Sequence, residues 1–462
     1  MKILWLTNMR LPIVDELLGK KANFFGGGWL SGLFEQIINT SNDVVLCYPE
    51  FEKKETVSGE KDQISFYGVP IDAKKNRLGT CEIDPIKNEF KKILEKEKPN
   101  VIHIHGTEFQ FAYAMALAAK EENMIERVAV SIQGMTSVYA HHFFGNLPRN
   151  YTPARTLKEW IIRDGANDRY NAFVRRGKYE IETIKLVKNI LGRTRWDYIN
   201  CLKINPDMNY HKANETLRNS FYSSNWMCES CIKHTIFVSQ AGTILKSFHM
   251  VLDATAIVKK FYPDVQLKVA GPRIIDGNWI NGNSFGLFIR KKMQSLKLEN
   301  NVEFLGPQNE LQMKEHMLKS NVFVSASSIE NSPNSLGEAM LLGMPCISSD
   351  VGGVSDLMRH NEEGYIYPAD APEMLAYYIM KVFGDRETAE KCGKKARIHA
   401  MDTHNPQQNW NDLWRIYSGL TKGEHAIVGA GPVVAKDIPA GEIWAGNPAK
   451  YIKSIEPYGE NK

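Results

Sequence analysis

The sequence predicts an α/β protein made of two Rossmann-like domains, each a parallel sheet covered by helices, facing one another across a cleft. Three observations predict it. Short apolar runs alternate with longer amphipathic stretches, several of those runs end in Gly, Asn or Ser, and enough of them lie on either side of residues 221–233 for two separate sheets. In the first half the expected strands are KILWLT, DVVLCYP, VIHIHG and VAVSIQG. HTIFVSQ, VQLKVAG, NVEFLG, NVFVSAS and PCISS follow in the second. WLSGLFEQIIN, FQFAYAMALAAKEE, MVLDATAIVKKFY and SLGEAMLLG have the helical periodicity between them. The expected organisation is a first domain over 1–222, a second over 234–405, a helix over 406–422 crossing back, and a tail over 423–462. The tail has a six-residue rhythm of Gly, Val, Ile and Pro that suits the flat strands of a β-helix.

Composition narrows the class. A chain of 462 residues with 43% hydrophobic and 24% charged residues has ample material for large cores. No run of about 18 apolar residues is present, and the N-terminal apolar stretch is broken by Asn8 and Arg10, so it reads as a buried first strand. The 7 cysteines are odd in number and scattered, which suits a reducing compartment; the expected location is the cytoplasm. The net charge of +4 is concentrated, because residues 149–178 hold eight basic and three acidic side chains, leaving about −1 for the rest.

The segment 321–353, NVFVSASSIENSPNSLGEAMLLGMPCISSDVGG, carries the chemistry. A buried strand leads into a polar loop, and a helix then starts near Asn334 or Ser335 and stops at Gly343 before Pro345. The first turn of that helix, around Ser335, Leu336 and Gly337, offers backbone N–H groups without intrahelical partners, a site suited to a diphosphate. Small residues there would let phosphates approach closely. Glu330 and Glu338 can each accept hydrogen bonds from the vicinal hydroxyls of a sugar; the plainer alternative is a solvated loop carboxylate and a helix-start residue.

This stretch resembles the donor-binding motif of glycosyltransferase family four, through Glu330, Glu338, Ala339, Met340, Gly343, Pro345, Gly352 and Gly353. The resemblance implies the GT-B fold, a nucleotide-sugar donor and configuration-retaining transfer. Glu338 would hold the ribose and Glu330 would sit over the transferred sugar as a catalytic residue. Other positions match in order. VIHIHG resembles the acceptor-domain strand, with His105 at the cleft edge as a second catalytic, acceptor-side residue; the alternative is one buried and one surface histidine at 103 and 105. FFGGGWLSGLF resembles the glycine-rich loop beneath the donor phosphates, implicating Gly27 and Gly28. VSQAGTILKSFHMVLDA resembles the loop that meets the diphosphate, implicating Lys246, with Gln240 in place of the usual Arg. Gln133 stands where many members have an acceptor-side histidine. Asn334, Ser335, Leu336 and Gly337 complete the expected donor site.

No Asp-x-Asp on an apolar strand stands out, and Cys228 and Cys231 form a single CxxC pair, so neither a metal nor any other cofactor is expected beyond the nucleotide sugar. The expected partners are a UDP- or GDP-sugar and a glycan or lipid-linked acceptor, with no nucleic acid. For the basic strip 149–178, an anionic membrane surface and a solvated helical insertion weigh equally. The tail resembles the last coil of hexapeptide-repeat acetyltransferases, too short to bury its own face and therefore expected to be non-catalytic. Two rival functions stay open: an epimerase or hydrolase of sugar nucleotides on the same fold, or a non-catalytic sugar-nucleotide-binding partner.

Overall fold

A computed structural model describes residues 1–20, 28–148, 151, 154–421 and the short strands 427–428, 442–445 and 450–454. The first sheet runs, from edge to edge, Val57–Lys61, Ile64–Pro70, Asp43–Glu50, Lys2–Leu6, Val101–His105, Val128–Ser131, Asn189–Gly192 and Asn209–Lys212. All neighbours are parallel except the edge pair formed by Val57–Lys61 and Ile64–Pro70. The second sheet is wholly parallel: Val302–Gly306, Gln266–Ala270, Thr235–Val238, Val322–Ser325, Cys346–Ser349 and Tyr365–Tyr367. Its first strand in the chain lies at the middle, between the second and the fourth. That reversal of strand order leaves a crevice at the carboxyl ends of Thr235–Val238 and Val322–Ser325.

The central strands read as unbroken apolar runs because both of their faces are covered. Ile3, Leu4, Trp5 and Leu6 are all buried, and so are Val322, Phe323 and Val324. The covering helices bury one stripe each. In Ile83–Glu97 the buried Ile86, Phe90, Ile93 and Leu94 recur at helical spacing. The helix Asn334–Leu342 is different: every residue from Leu336 to Leu342 is buried, because it is packed between its own sheet and the helix Arg386–Thr403.

A last long helix, Pro406–Leu420, packs on the first sheet, where Trp410, Leu413 and Tyr417 join Ile3, Trp5 and Leu30 in one core. The Tyr417 hydroxyl accepts from Trp5 Nε1 at 3.0 Å and meets His103 Nδ1 at 2.6 Å. In the tail, Ile427–Val428 pairs in parallel with Glu442–Ala445, which pairs antiparallel with Lys450–Ser454. The β-helix reading otherwise falls outside the described residues.

Candidate donor site between the domains

The crevice of the second sheet is filled by two loops that grip each other. Ser328 N donates to Leu245 O at 2.8 Å, tying the loop after Val322–Ser325 to the loop after Thr235–Val238. Gly352, with φ at +53°, and Gly353 press on the backbone of Glu330 and Asn331; a Cβ at either position would collide with a carbonyl oxygen. Gly353 N donates to Glu330 O at 3.1 Å, so the glycine pair holds the Glu330 turn in place.

Each glutamate is met by a cation. Glu330 is ion-paired with Lys246, and its Oε1 also accepts from Ser327 Oγ at 2.6 Å. Glu338 is buried and accepts from both Nε and Nη2 of Arg218 at 2.6 Å, a bidentate geometry. Burial pushes the Glu338 carboxyl up from its ordinary value, against the pull of Arg218. Arg218, stacked over Phe221 at 4.9 Å, comes from the segment joining the two sheets, and sequence reasoning missed it. Pro333, the residue just before the helix Asn334–Leu342, changes the phosphate reading as well. Leu336 N and Gly337 N both donate to Pro333 O, at 3.0 and 3.2 Å, so these two expected anion donors are already engaged. Asn334 N and Ser335 N have no such partner among the described residues, and Asn334 Oδ1 is buried without one. Gly337 is small for another reason than phosphate approach: a Cβ there would meet His404 Nε2 and Leu217 Cδ1 at 2.8 Å. Ser335 Oγ meets Ser239 Oγ at 3.1 Å, bringing the helix start beside exposed Gln240.

Residues 233–399 match the family described as glycosyl transferases group 1. The whole fold is GT-B, superposing on sucrose-phosphate synthase from Thermosynechococcus elongatus with a TM-score of 0.67, 14% identity, and coverage of 91% of this chain and 99% of that one. It also superposes on Anabaena HepE in complex with UDP-glucose, with a TM-score of 0.63, 13% identity, and coverage of 90% and 99%. Among curated proteins the chain is similar to N-acetyl-alpha-D-glucosaminyl L-malate synthase of Bacillus anthracis, 29% identical over 136 residues, 29% of this chain and 35% of that protein. A separate likeness, 45% over 47 residues, is to 2,3,4,5-tetrahydropyridine-2,6-dicarboxylate N-acetyltransferase of Clostridium perfringens, 10% of this chain and 20% of that one. The chain thus spans about a third of the length of the first of these relatives and a fifth of the second.

The second domain is bolted to the first through Asn331. Its Oδ1 accepts from Thr194 Oγ1 at 2.7 Å, its Nδ2 donates to Ile132 O and Gln133 O at 3.3 and 3.4 Å, and its backbone N meets Tyr139 Oη at 3.0 Å. Gln133 Oε1 also accepts from Arg193 at 3.4 Å, so this side chain is held from behind by a buried arginine. None of Arg193, Thr194, Tyr139 and Asn331 was singled out by sequence reasoning; a buried polar residue beside a motif was the only signal.

His105 lines a small cavity together with Gln133 and Arg193. Residues two apart on a strand share a face, so His103 and His105 stack on each other, with ring centroids 3.8 Å apart and both buried, and neither is the surface histidine of the alternative reading. His105 packs edge-on against Trp5 at 4.6 Å. Burial, then the neighbouring His103, holds its imidazole well below the ordinary value, so it is neutral. Gly27 lies outside the described residues, and Gly28 is the first residue of the helix Gly28–Ile38. Cys228 and Cys231 lie on a short 3₁₀ turn, and the Cys231 thiol donates to Ser320 O at 3.3 Å. Among the described residues no cluster of three metal-ligating side chains is present.

The basic strip is broken into the short helix Leu157–Ile162 and the long helix Ala166–Leu186, with Arg163 at φ +54° between them. Much of its charge is paired within the fold. Asp164 takes both Arg77 and Arg169 at 2.9 Å, and Asp168 takes Arg155 at 2.7 Å. Arg175 donates to Leu78 O at 2.7 Å. Tyr170 and Phe173 pack on the core, so the strip is not one continuous lipid-facing helix. No helix among the described residues is long and apolar enough to cross a membrane.

Proposed function

We propose that the protein is a retaining glycosyltransferase that moves a hexose-type sugar from a nucleotide diphosphate to a glycan or lipid-linked glycan, without a metal, in surface polysaccharide or glycoconjugate synthesis. The single observation that carries this reading is the pairing of Glu330 and Glu338 with cations on either side of one helix start, within the second domain. A carboxylate has about four acceptor positions, of which Arg218 occupies two on Glu338, leaving others for a ribose diol. Lys246, Asn334 N and Ser335 N lie where a leaving diphosphate needs cationic and N–H donors. In the transfer, the bond from the anomeric carbon to the diphosphate oxygen breaks. The acceptor oxygen bonds to that carbon on the same face, and the acceptor proton passes to the departing phosphate. One relative named for amylovoran biosynthesis, and GT-B structures named as complexes with UDP, with UDP-glucose, and with UDP and glucose, support a glycan-synthesis role and a UDP-sugar donor.

The test is release of nucleotide from UDP- and GDP-sugars with and without a cell lipid extract. Acceptor-dependent release is expected. Acceptor-free turnover indicates an epimerase or hydrolase, and binding without turnover a non-catalytic partner. Glu338→Ala should weaken sugar-nucleotide binding by about tenfold or more, as loss of charge-assisted hydrogen bonds does. An unchanged dissociation constant by calorimetry would remove the donor-site assignment.

A further inference from the structure

A cavity of about 520 Å³ lies between the domains, with Gly242, Thr243, Ile244 and Leu245 in its wall. Its walls come from loops at the carboxyl ends of both sheets and from the helix Ala166–Leu186. Phe51, Phe109, Phe143, Phe173 and Phe285 line it, so most of its body is aromatic. Three arginines, Arg77, Arg169 and Arg176, line it together with two carboxylates, Glu159 and Asp164. Asp164 serves both Arg77 and Arg169, and Glu159 is turned onto Thr156 N, Ser284 N and Ser284 Oγ at 3.0–3.1 Å.

Arg176 is the remaining cation. Its guanidinium is held flat against Phe109 and Phe173, at 5.0 and 4.9 Å, and its Nε donates to Ala172 O at 3.3 Å. It makes no ion pair among the described residues. Glu108 and Glu180 are close enough to favour its charge, but neither lines the cavity. A half-buried arginine whose Nη groups make no hydrogen bond among the described residues is suited to an oxyanion, and the phenyl walls are suited to a hydrocarbon.

The outer surface beside the cavity fits the same ligand. Leu157, Trp160 and Ile161 are 52%, 65% and 61% exposed, and Trp279 and Ile280 are 58% and 64% exposed. These two groups form one patch, because Leu157 N and Lys158 N donate to Trp279 O and Ile280 O, both at 2.9 Å. The patch belongs to the segments that supply Glu159, Asn283 and Ser284 to the cavity wall. Apolar side chains so exposed, rimmed by Arg155, Lys158 and Arg163, are what an acyl or prenyl chain emerging from the cavity would meet.

We propose that this cavity binds an amphiphile with a phosphate group, the phosphate on Arg176 and the chain among the phenylalanines, leaving over the Leu157–Ile280 patch. The binding itself stands without the transferase reading; calling that amphiphile the sugar acceptor rests on it. Gly242, Thr243, Ile244 and Leu245 form part of the wall, so the cavity adjoins the loop that carries Lys246.

Equilibrium binding to the full chain tests this, with dodecyl phosphate, dodecyl maltoside and inorganic phosphate, the amphiphiles kept below micelle formation. Saturable binding of dodecyl phosphate, about tenfold or more tighter than of the neutral amphiphile and of inorganic phosphate, is expected. Arg176→Gln should abolish that preference and Arg176→Lys should keep part of it. Phe51→Ala, at a position 47% exposed and safe for folding, should weaken both amphiphiles several-fold. Absence of saturable binding, equal affinity for the neutral amphiphile, inorganic phosphate binding as tightly, or indifference to Arg176→Gln in a folded variant would each overturn the proposal. If Arg176→Gln does not fold, indifference to Phe51→Ala does so. A thermal shift with UDP and GDP, run alongside, reads the donor site separately, so the two readings fail independently.

Discussion

At the scale of single residues, the buried histidines have a consequence for acid stability. Burial takes His103 from 6.5 down to about 3, and holds His105 well below 6.5. The unfolded chain takes up protons below about 6.5 that the folded protein refuses, so this stabilisation is complete above pH 6.5 and is lost as pH falls towards 3. The slope is at most about 1.4 kcal/mol per pH unit for each histidine. Denaturant midpoints between pH 7.5 and 4.5 should therefore fall steeply, and His103→Gln should flatten the fall. The motif that carries the candidate donor site was legible at this scale, because Glu330, Glu338 and the glycine pair stand in a fixed pattern along the chain. Their partners were not. Arg218 lies 120 positions before Glu338, and Thr194 lies 137 before Asn331. Such pairings exist only once two sheets have met.

At the scale of elements, the glycine pair after Cys346–Ser349 acts as a wedge on the Glu330 turn. Gly352→Ala adds a Cβ against the Glu330 carbonyl at a residue with positive φ, so the turn must move. Donor affinity should drop by about tenfold or more, at a stability cost of about 1–3 kcal/mol, with the far-ultraviolet dichroism unchanged. Equal affinity in the variant would show that the turn does not position Glu330. Strands were readable where they were buried on both faces, as in Lys2–Leu6 and Val322–Ser325. Val57–Lys61 and Asn209–Lys212, at the two edges, are mostly polar and carry no such signal. The long helix Arg386–Thr403 escaped because charges outnumber apolar residues on it; its buried face includes Ala389, Gly393 and Ala396, too small to form an apolar stripe.

At the scale of the whole molecule, the Asn331 contacts set how the two domains meet. Asn331→Ala removes three side-chain hydrogen bonds to the first domain. It should cost about 1–3 kcal/mol of stability. Turnover should fall by about tenfold or more while donor affinity, carried by the second domain, stays within about threefold. Scattering and steady-state rates together check this, and an unchanged rate would mean that the bolt is dispensable. The helix Pro406–Leu420 reaches further still. Trp5 and His103 lie on the two middle strands of the first sheet, yet the hydroxyl that satisfies both arrives with Tyr417. During synthesis, the interior of the first domain therefore stays incomplete until Tyr417 has been made. A fragment stopping at residue 405 should emerge insoluble or protease-sensitive, and supplying the missing helix as a separate peptide should restore protection.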